Sequence, residues 1–203
     1  MRGARRPRRS SAPTSCRRWR RARRTWRGNR GNGDVTPALD AADLAGLRLA
    51  IAESRIARRR GDMPYGAVLA DAAGAILMTA QNTQVTERDL TGHAELNLLR
   101  AASRRFGPER LRGGTIFASG EPCAMCAGAI YWSGVARVVF ALGAAAMHRL
   151  DPGDSAAALP DCRALLAGAD RPIAVVGPVL EDEAEDAFLD RRRQPSTKEE
   201  APR

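Results

Sequence analysis

Residues 92–142 read GHAELNLLRAASRRFGPERLRGGTIFASGEPCAMCAGAIYWSGVARVVFAL. In this stretch helical and strand patterns alternate twice. HAELNLLRAASRRF, starting at His93, is amphipathic at a period of about 3.6, with Leu96, Leu99 and Ala102 inward. GGTIFASG is a short apolar run bounded by glycines, the pattern of a buried strand. CAMCAGAIYWSG returns to helix and VARVVFAL to strand. Strands alternating with helices argue for parallel strands, with the helices crossing over the sheet. The stretch therefore predicts a mostly parallel sheet with helices on both faces.

The flanks extend this plan. On the N-terminal side, PYGAVLAD and GAILMTAQN are strand-like runs joined by the tight turn DAAG, which makes them an antiparallel pair. Before them, DAADLAGLRLAIAESRIARRRGD sets Leu44, Leu47, Ile51 and Ile56 near one helical face, with Asp40 as cap and Gly61 as stop. On the C-terminal side an Ala-rich loop containing DPGD is expected, then a short helix in DCRALLAG. A last parallel strand in PIAVVGPVL and a last helix in EDEAEDAFLDRRR complete an α/β domain with five strands.

The chain has 203 residues, 44% of them apolar, enough for one domain with a sizeable core. Its net charge of +10 is unevenly spread: residues 1–34 hold thirteen arginines against one acid, Asp34, and the remainder carries a small acidic excess. An argument from charge to a polyanionic partner therefore concerns that segment alone. Residues 1–37 are read as an Arg-rich disordered tail or a mis-assigned start. If the tail is made, it is a basic arm touching RNA or a membrane surface, or an organelle transit peptide. Residues 38–192 form the domain and 193–203 a frayed tail. No run is long and apolar enough for a membrane span, and no secretory h-region is present. Four cysteines, two of them in a CxxC, fit a reducing cytoplasm better than a disulfide frame.

Two fragments carry chemistry: His93-Ala94-Glu95 and Pro122-Cys123-Ala124-Met125-Cys126. Each opens a predicted helix. One imidazole and two thiols one helical turn apart suit a tetrahedral Zn2+ site, and three protein ligands leave a fourth position for water. The helix N-terminus and the metal both favour thiolate over thiol. Two thiolates cancel the metal charge, which makes a nearby proton acceptor more useful, and Glu95 is placed for that task. A closed structural site would need a fourth ligand. The candidates are poor: His148 is the only other histidine, and Cys162 lies well downstream. A CxxC alone also fits a redox pair, but HAE followed about thirty residues later by PCxxC, each at a helix start, points to catalysis.

These fragments resemble the cytidine deaminase superfamily, whose signature pairs H-x-E with P-C-x-x-C. The likeness runs from Asp40 to Arg191 and is greatest to the branch of bacterial guanine deaminases and tRNA adenosine deaminases. It is carried by PYGAVLAD, Gln81-Asn82, GHAELNLLRAA and SGEPCAMCAGAIYW. The resemblance implies a three-layer α/β/α sandwich and a homodimer or larger assembly with sites near the subunit contact. It implies zinc on His93, Cys123 and Cys126, proton transfer by Glu95, and substrate contacts from the Asn82 side chain and the N–H groups of Ala94 and Cys123. Asn82 also reads as a turn residue. Trp132 either lines a base pocket or packs in the core, Tyr131 leans toward the core, and Tyr65 packs in the core or floors the pocket.

The expected activity is zinc-dependent hydrolytic deamination of a free nucleobase or nucleoside, a guanine-like purine being favoured, with release of ammonia. Tyr131-Trp132-Ser133-Gly134 resembles guanine deaminases, and GAAAMHRLDPGDSAAALP lacks the basic residues expected of the tRNA enzymes. Leu90-Thr91-Gly92 and a C-terminus with Phe188 as its one nearby aromatic depart from the guanine enzymes. The alternatives are a tRNA wobble adenosine-to-inosine deaminase and, outside catalysis, a zinc-stabilised RNA-binding module.

Overall fold

In the computed structural model the described residues are 38–152 and 161–190. The expected tails at 1–37 and 193–203, and most of the DPGD loop, lie outside them. Helix α1 spans Ala41–Arg60. Asp40 caps it through a reciprocal box with Asp43, and Gly61 closes it in the left-handed conformation that only glycine adopts without strain. Strands β1 (Gly66–Ala70) and β2 (Ile76–Gln81) follow, then α2 (Ala94–Phe106), the single turn α3 (Pro108–Leu111) and β3 (Thr115–Gly120). The chain continues through α4 (Ala124–Ser133), β4 (Arg137–Leu142), α5 (Ala144–Leu150), α6 (Cys162–Ala167), β5 (Ala174–Val176) and α7 (Glu181–Phe188).

The five strands form one sheet in the order β2-β1-β3-β4-β5. β1 is antiparallel to both β2 and β3, while β3, β4 and β5 are mutually parallel. Four strands thus share one direction and β1 alone is reversed. The expected α/β sandwich with a mixed, mostly parallel sheet is present. Side chains alternate across it, as the strand period of two requires. Ala67, Leu69, Ile116, Ala118, Val138 and Phe140 face a layer built from α2, α4 and α6. Val68, Ala70, Phe117, Val139 and Ala141 face α1 and α7. Both faces are covered, so β1 reads as a continuous apolar run with every residue buried.

α1 lies very close to the start of β1: a Cβ on Gly66 would stand 2.4 Å from the Ala50 carbonyl oxygen. The site's geometry inherits this contact, because β1 starts and β2 ends beside the loop that leads to His93.

Three expectations need correction. Ile56 is 38% exposed, since the buried stripe of α1 runs through Leu47, Ala50, Ile51, Ser54 and Ala57 instead. The Ala-rich segment after β4 begins as the helix α5, because the Glu121 carboxylate accepts the Ala144 N–H at its start. β5 stops at Val176, just before Gly177-Pro178, where proline has no N–H for the ladder. Among the described residues no helix is long and apolar enough to cross a membrane.

Candidate metal and catalytic site

His93 and Cys123 are the N-cap residues of α2 and α4. Both have extended backbones, and their side chains meet where the two helices begin, at the end that leaves a helix's first N–H groups without intrahelical partners. One turn into α4, Cys126 joins them, fully buried. The Cys123 and Cys126 sulfurs each lie 3.6 Å from the same atom, Nδ1 of His93. A single ring nitrogen carries at most one hydrogen and cannot serve two sulfurs well. A shared cation resolves the arrangement. Tetrahedral zinc, with bonds of about 2.05 Å to nitrogen and about 2.3 Å to sulfur, sets these donors about 3.6 Å apart. The donor atoms therefore fit zinc in both type and spacing. Among the described residues this is the one His/Cys/Asp/Glu group gathered tightly enough to hold a metal, and neither His148 nor Cys162 joins it. Cys123, Cys126 and Cys162 are all free thiols.

Without a cation the two cysteines share one proton. A hydrogen bond from the Cys126 thiol pulls Cys123 down to about 4. The same interaction, with burial, pushes Cys126 up. A bound divalent ion would deprotonate both.

Glu95 follows one residue after Ala94 in the first turn of α2 and is nearly buried. Its Oε2 lies 3.5 Å from the Cys126 sulfur. Burial raises its carboxyl above the ordinary carboxylate range, against smaller lowering effects from its own backbone N–H and from His93. A carboxyl that touches the metal cluster and holds a proton readily has the properties of a proton shuttle.

Ala94 is fully buried at the opening of α2. Asn82 is also fully buried, just beyond β2. Its Nδ2 donates to Gln84 Oε1 at 2.7 Å and its Oδ1 accepts from the Gln84 N–H at 2.9 Å, the geometry of a turn residue. Tyr65 packs edge-on against Phe188 and touches both core layers. Tyr131 donates its hydroxyl to Asp170 and lies under the Arg171 guanidinium. Trp132 is 64% exposed, which rules out core packing within one chain. It is six residues beyond Cys126 in sequence, about 9 Å along the α4 axis.

Asn97, which the sequence did not single out, closes the loop between β2 and α2. Its Nδ2 lies 2.9 Å from both the Gln81 carbonyl and Thr83 Oγ1, and 3.2 Å from the Gly92 carbonyl. The only sequence signal was a polar residue four positions after His93, set between Leu96 and Leu98.

A three-layer α/β/α fold with an imidazole, two thiols and a carboxyl at two helix starts defines a zinc-dependent hydrolase of amino-bearing rings. The chain belongs to the cytidine and deoxycytidylate deaminase zinc-binding family, whose profile matches residues 41–142. A Schizosaccharomyces pombe protein described as a "probable cytosine deaminase" is 38% identical over 148 residues, covering 72% of this chain and 90% of that one. The guanine deaminase of Bacillus subtilis is 41% identical over 78 residues, 38% of this chain and 49% of its own. A solved structure from work on tRNA:A34 deaminases, which edit A to I at the wobble position of transfer RNA, superposes with a TM-score of 0.58 at 27% identity. That match covers 71% of this chain and 99% of the other.

Proposed function

We propose that this zinc-dependent deaminase acts on a free nucleobase, with Glu95 as its proton shuttle and Asn82 and the Ala94 N–H as contacts to the ring. The observation that supports this best is the Glu95 carboxyl against the Cys126 sulfur, within a donor cluster of tetrahedral size. When bound, zinc supplies Lewis acidity, bringing the pKa of a water in the open position toward neutrality. Glu95 takes a proton from the attacking water and delivers it to a ring nitrogen. It then takes the remaining hydroxyl proton of the adduct and passes it to the departing amine, while the first proton stays on the ring nitrogen. The net change replaces ring C–NH2 by ring C=O, consumes one water and releases one ammonia. Burial keeps Glu95 out of bulk water, which sustains its affinity for the proton it carries.

A guanine-like ring is the first candidate, supported by GAIYW after the metal-binding thiols and by the similarity to the Bacillus subtilis guanine deaminase. Cytosine is the second, supported by a relative matched over nearly its whole length. Ammonia release is to be measured with guanine, with cytosine and with an RNA anticodon stem-loop bearing a wobble adenosine. Turnover of a free base and not of the stem-loop is expected. Deamination of the stem-loop alone would overturn the reading.

The proposal includes a homodimer. Met125, Gly128 and Trp132 are exposed at three- and four-residue spacing, one face of the helix that carries both thiols. An indole exposed there fits a subunit contact better than a ring-stacking wall within one chain. Light scattering should give twice the chain mass of 21.8 kDa, and Trp132→Arg should shift the protein toward monomer. A monomeric native protein would contradict the dimer.

A further inference from the structure

The ten residues between Asn82 and His93 form a loop with a lock on each side. The inner lock is Asn97, together with the Thr83 N–H bonded to the Gly92 carbonyl at 2.8 Å. The outer lock is Asp62, which stands just past the end of α1 and is 6% exposed. Its Oδ1 accepts the N–H groups of Val85 and Thr86 at 3.0 and 2.9 Å, and its Oδ2 lies 2.9 Å from the Thr86 hydroxyl. Arg60 donates Nε to Oδ2 of the same carboxylate at 2.7 Å. The rest of the Arg60 guanidinium reaches the residues that enter the loop: one nitrogen donates to the Asn82 carbonyl at 2.6 Å, the other to Gln81 Oε1 at 2.5 Å. Gln81 is held in turn by donating to Glu53 on α1.

This is more than surface decoration. Burial alone would raise the Asp62 carboxyl, but the N–H and hydroxyl of Thr86, Arg60 and the Val85 N–H hold it below its ordinary value. A carboxylate satisfied from four donors is fixed in place. Two of those donors are backbone groups of the loop, so fixing the carboxylate fixes the loop. Arg60 then couples the same anchor to the Asn82 main chain. Asn82 is fully buried and belongs to this network through Gln84, at the entry to the loop; the far end of the loop meets His93, whose N–H donates to the Thr91 carbonyl at 2.8 Å.

We propose that Asp62, with Arg60, is a positioning residue for substrate selection: it clamps the 83–92 loop and so sets where Asn82 meets the ring. The clamp rests on the reading of Asn82 given above. It acts on binding and discrimination, because Asp62 and Arg60 hold the entry to the loop at Asn82, Val85 and Thr86, while Glu95 and Cys126 are carried within α2 and α4. A change at Asp62 therefore spares the metal and moves KM.

The test uses the full-length, zinc-loaded chain with Asp62→Asn, Asn82→Ala and the double variant. Thr86→Val, which removes one donor only, is the milder substitute should Asp62→Asn fold poorly. Hydrogen exchange is followed in a peptide spanning 83–92, and guanine and cytosine are the kinetic probes. Asp62→Asn should speed exchange at Val85 and Thr86 about tenfold or more, since the neutral amide keeps only one, weaker acceptor oxygen and turns an NH2 toward Arg60 and the Thr86 hydroxyl where Oδ2 accepted from them. It should raise KM about tenfold and change kcat by less than about threefold, with zinc retained. In the Asn82→Ala background the same change should add less than about twofold, as expected of residues acting through one contact. Unchanged exchange, or effects on KM that multiply, would overturn the proposal. A silent Asn82→Ala, or a native chain inert toward both bases, would instead count against the proposed function, and the exchange result would then decide the clamp alone.

Discussion

Replacing Glu95 by Gln should lower kcat by roughly 10²–10⁴-fold, the usual worth of a positioned acid–base group, while zinc remains bound. The substitution keeps the size of a nearly buried side chain and leaves His93, Cys123 and Cys126 in place, so the metal and the fold should survive. What disappears is a group able to accept a proton. Zinc content by elemental analysis and steady-state ammonia release check this together. Near-native turnover with zinc bound would remove Glu95 from the mechanism. Loss of both would assign it a structural role instead.

Cys126→Ala should cause the other large effect. Cys126 is fully buried and supplies one of the two sulfurs at 3.6 Å from His93 Nδ1. Its removal leaves one nitrogen and one sulfur donor, too few to hold zinc against competing chelators. Changing only the partners of a metal ligand typically costs 10–100-fold in metal affinity, so losing the ligand itself should cost more than about 100-fold. The variant should be purified with well under one zinc per chain and no measurable deamination. Stability should fall as well, because metal-binding energy is folding energy wherever the unfolded chain lacks the site. Chelation of the native protein should reproduce the inactive state, and added zinc should reverse it. A Cys126→Ala variant that keeps zinc and activity would mean that the metal is held elsewhere.

The two effects should separate because the site has two parts: a donor set spaced to fit zinc and a buried carboxyl beside it, which we propose moves protons. Both were legible in sequence for the same physical reason. HAE and PCAMC are local patterns, and each falls at a helix start, where the backbone itself aims the next few residues. The α/β alternation was legible too, since β3 and β4 are apolar runs set off by helical stretches. What escaped was set by contacts far apart in the chain. α5 owes its start to Glu121, 23 residues earlier, so its Ala-rich sequence read as loop. The Asp62 clamp joins residues 23 and 24 positions apart, and nothing at Asp62 itself hints at it. Trp132 was ambiguous because α4 is apolar on all sides. Only packing shows that Cys126, Ala127 and Ile130 face inward while Met125 and Trp132 face out. Asn82 was singled out by resemblance as a substrate contact, and its pairing with Gln84 could not be read from either residue alone.

The most direct test of the metal centre is zinc K-edge X-ray absorption on the native chain. The geometry predicts a four-coordinate ion with two sulfurs at about 2.3 Å, one imidazole nitrogen at about 2.0 Å and one further light atom from solvent. A zinc-free protein, or a shell closed by a third sulfur or a second imidazole, would contradict it.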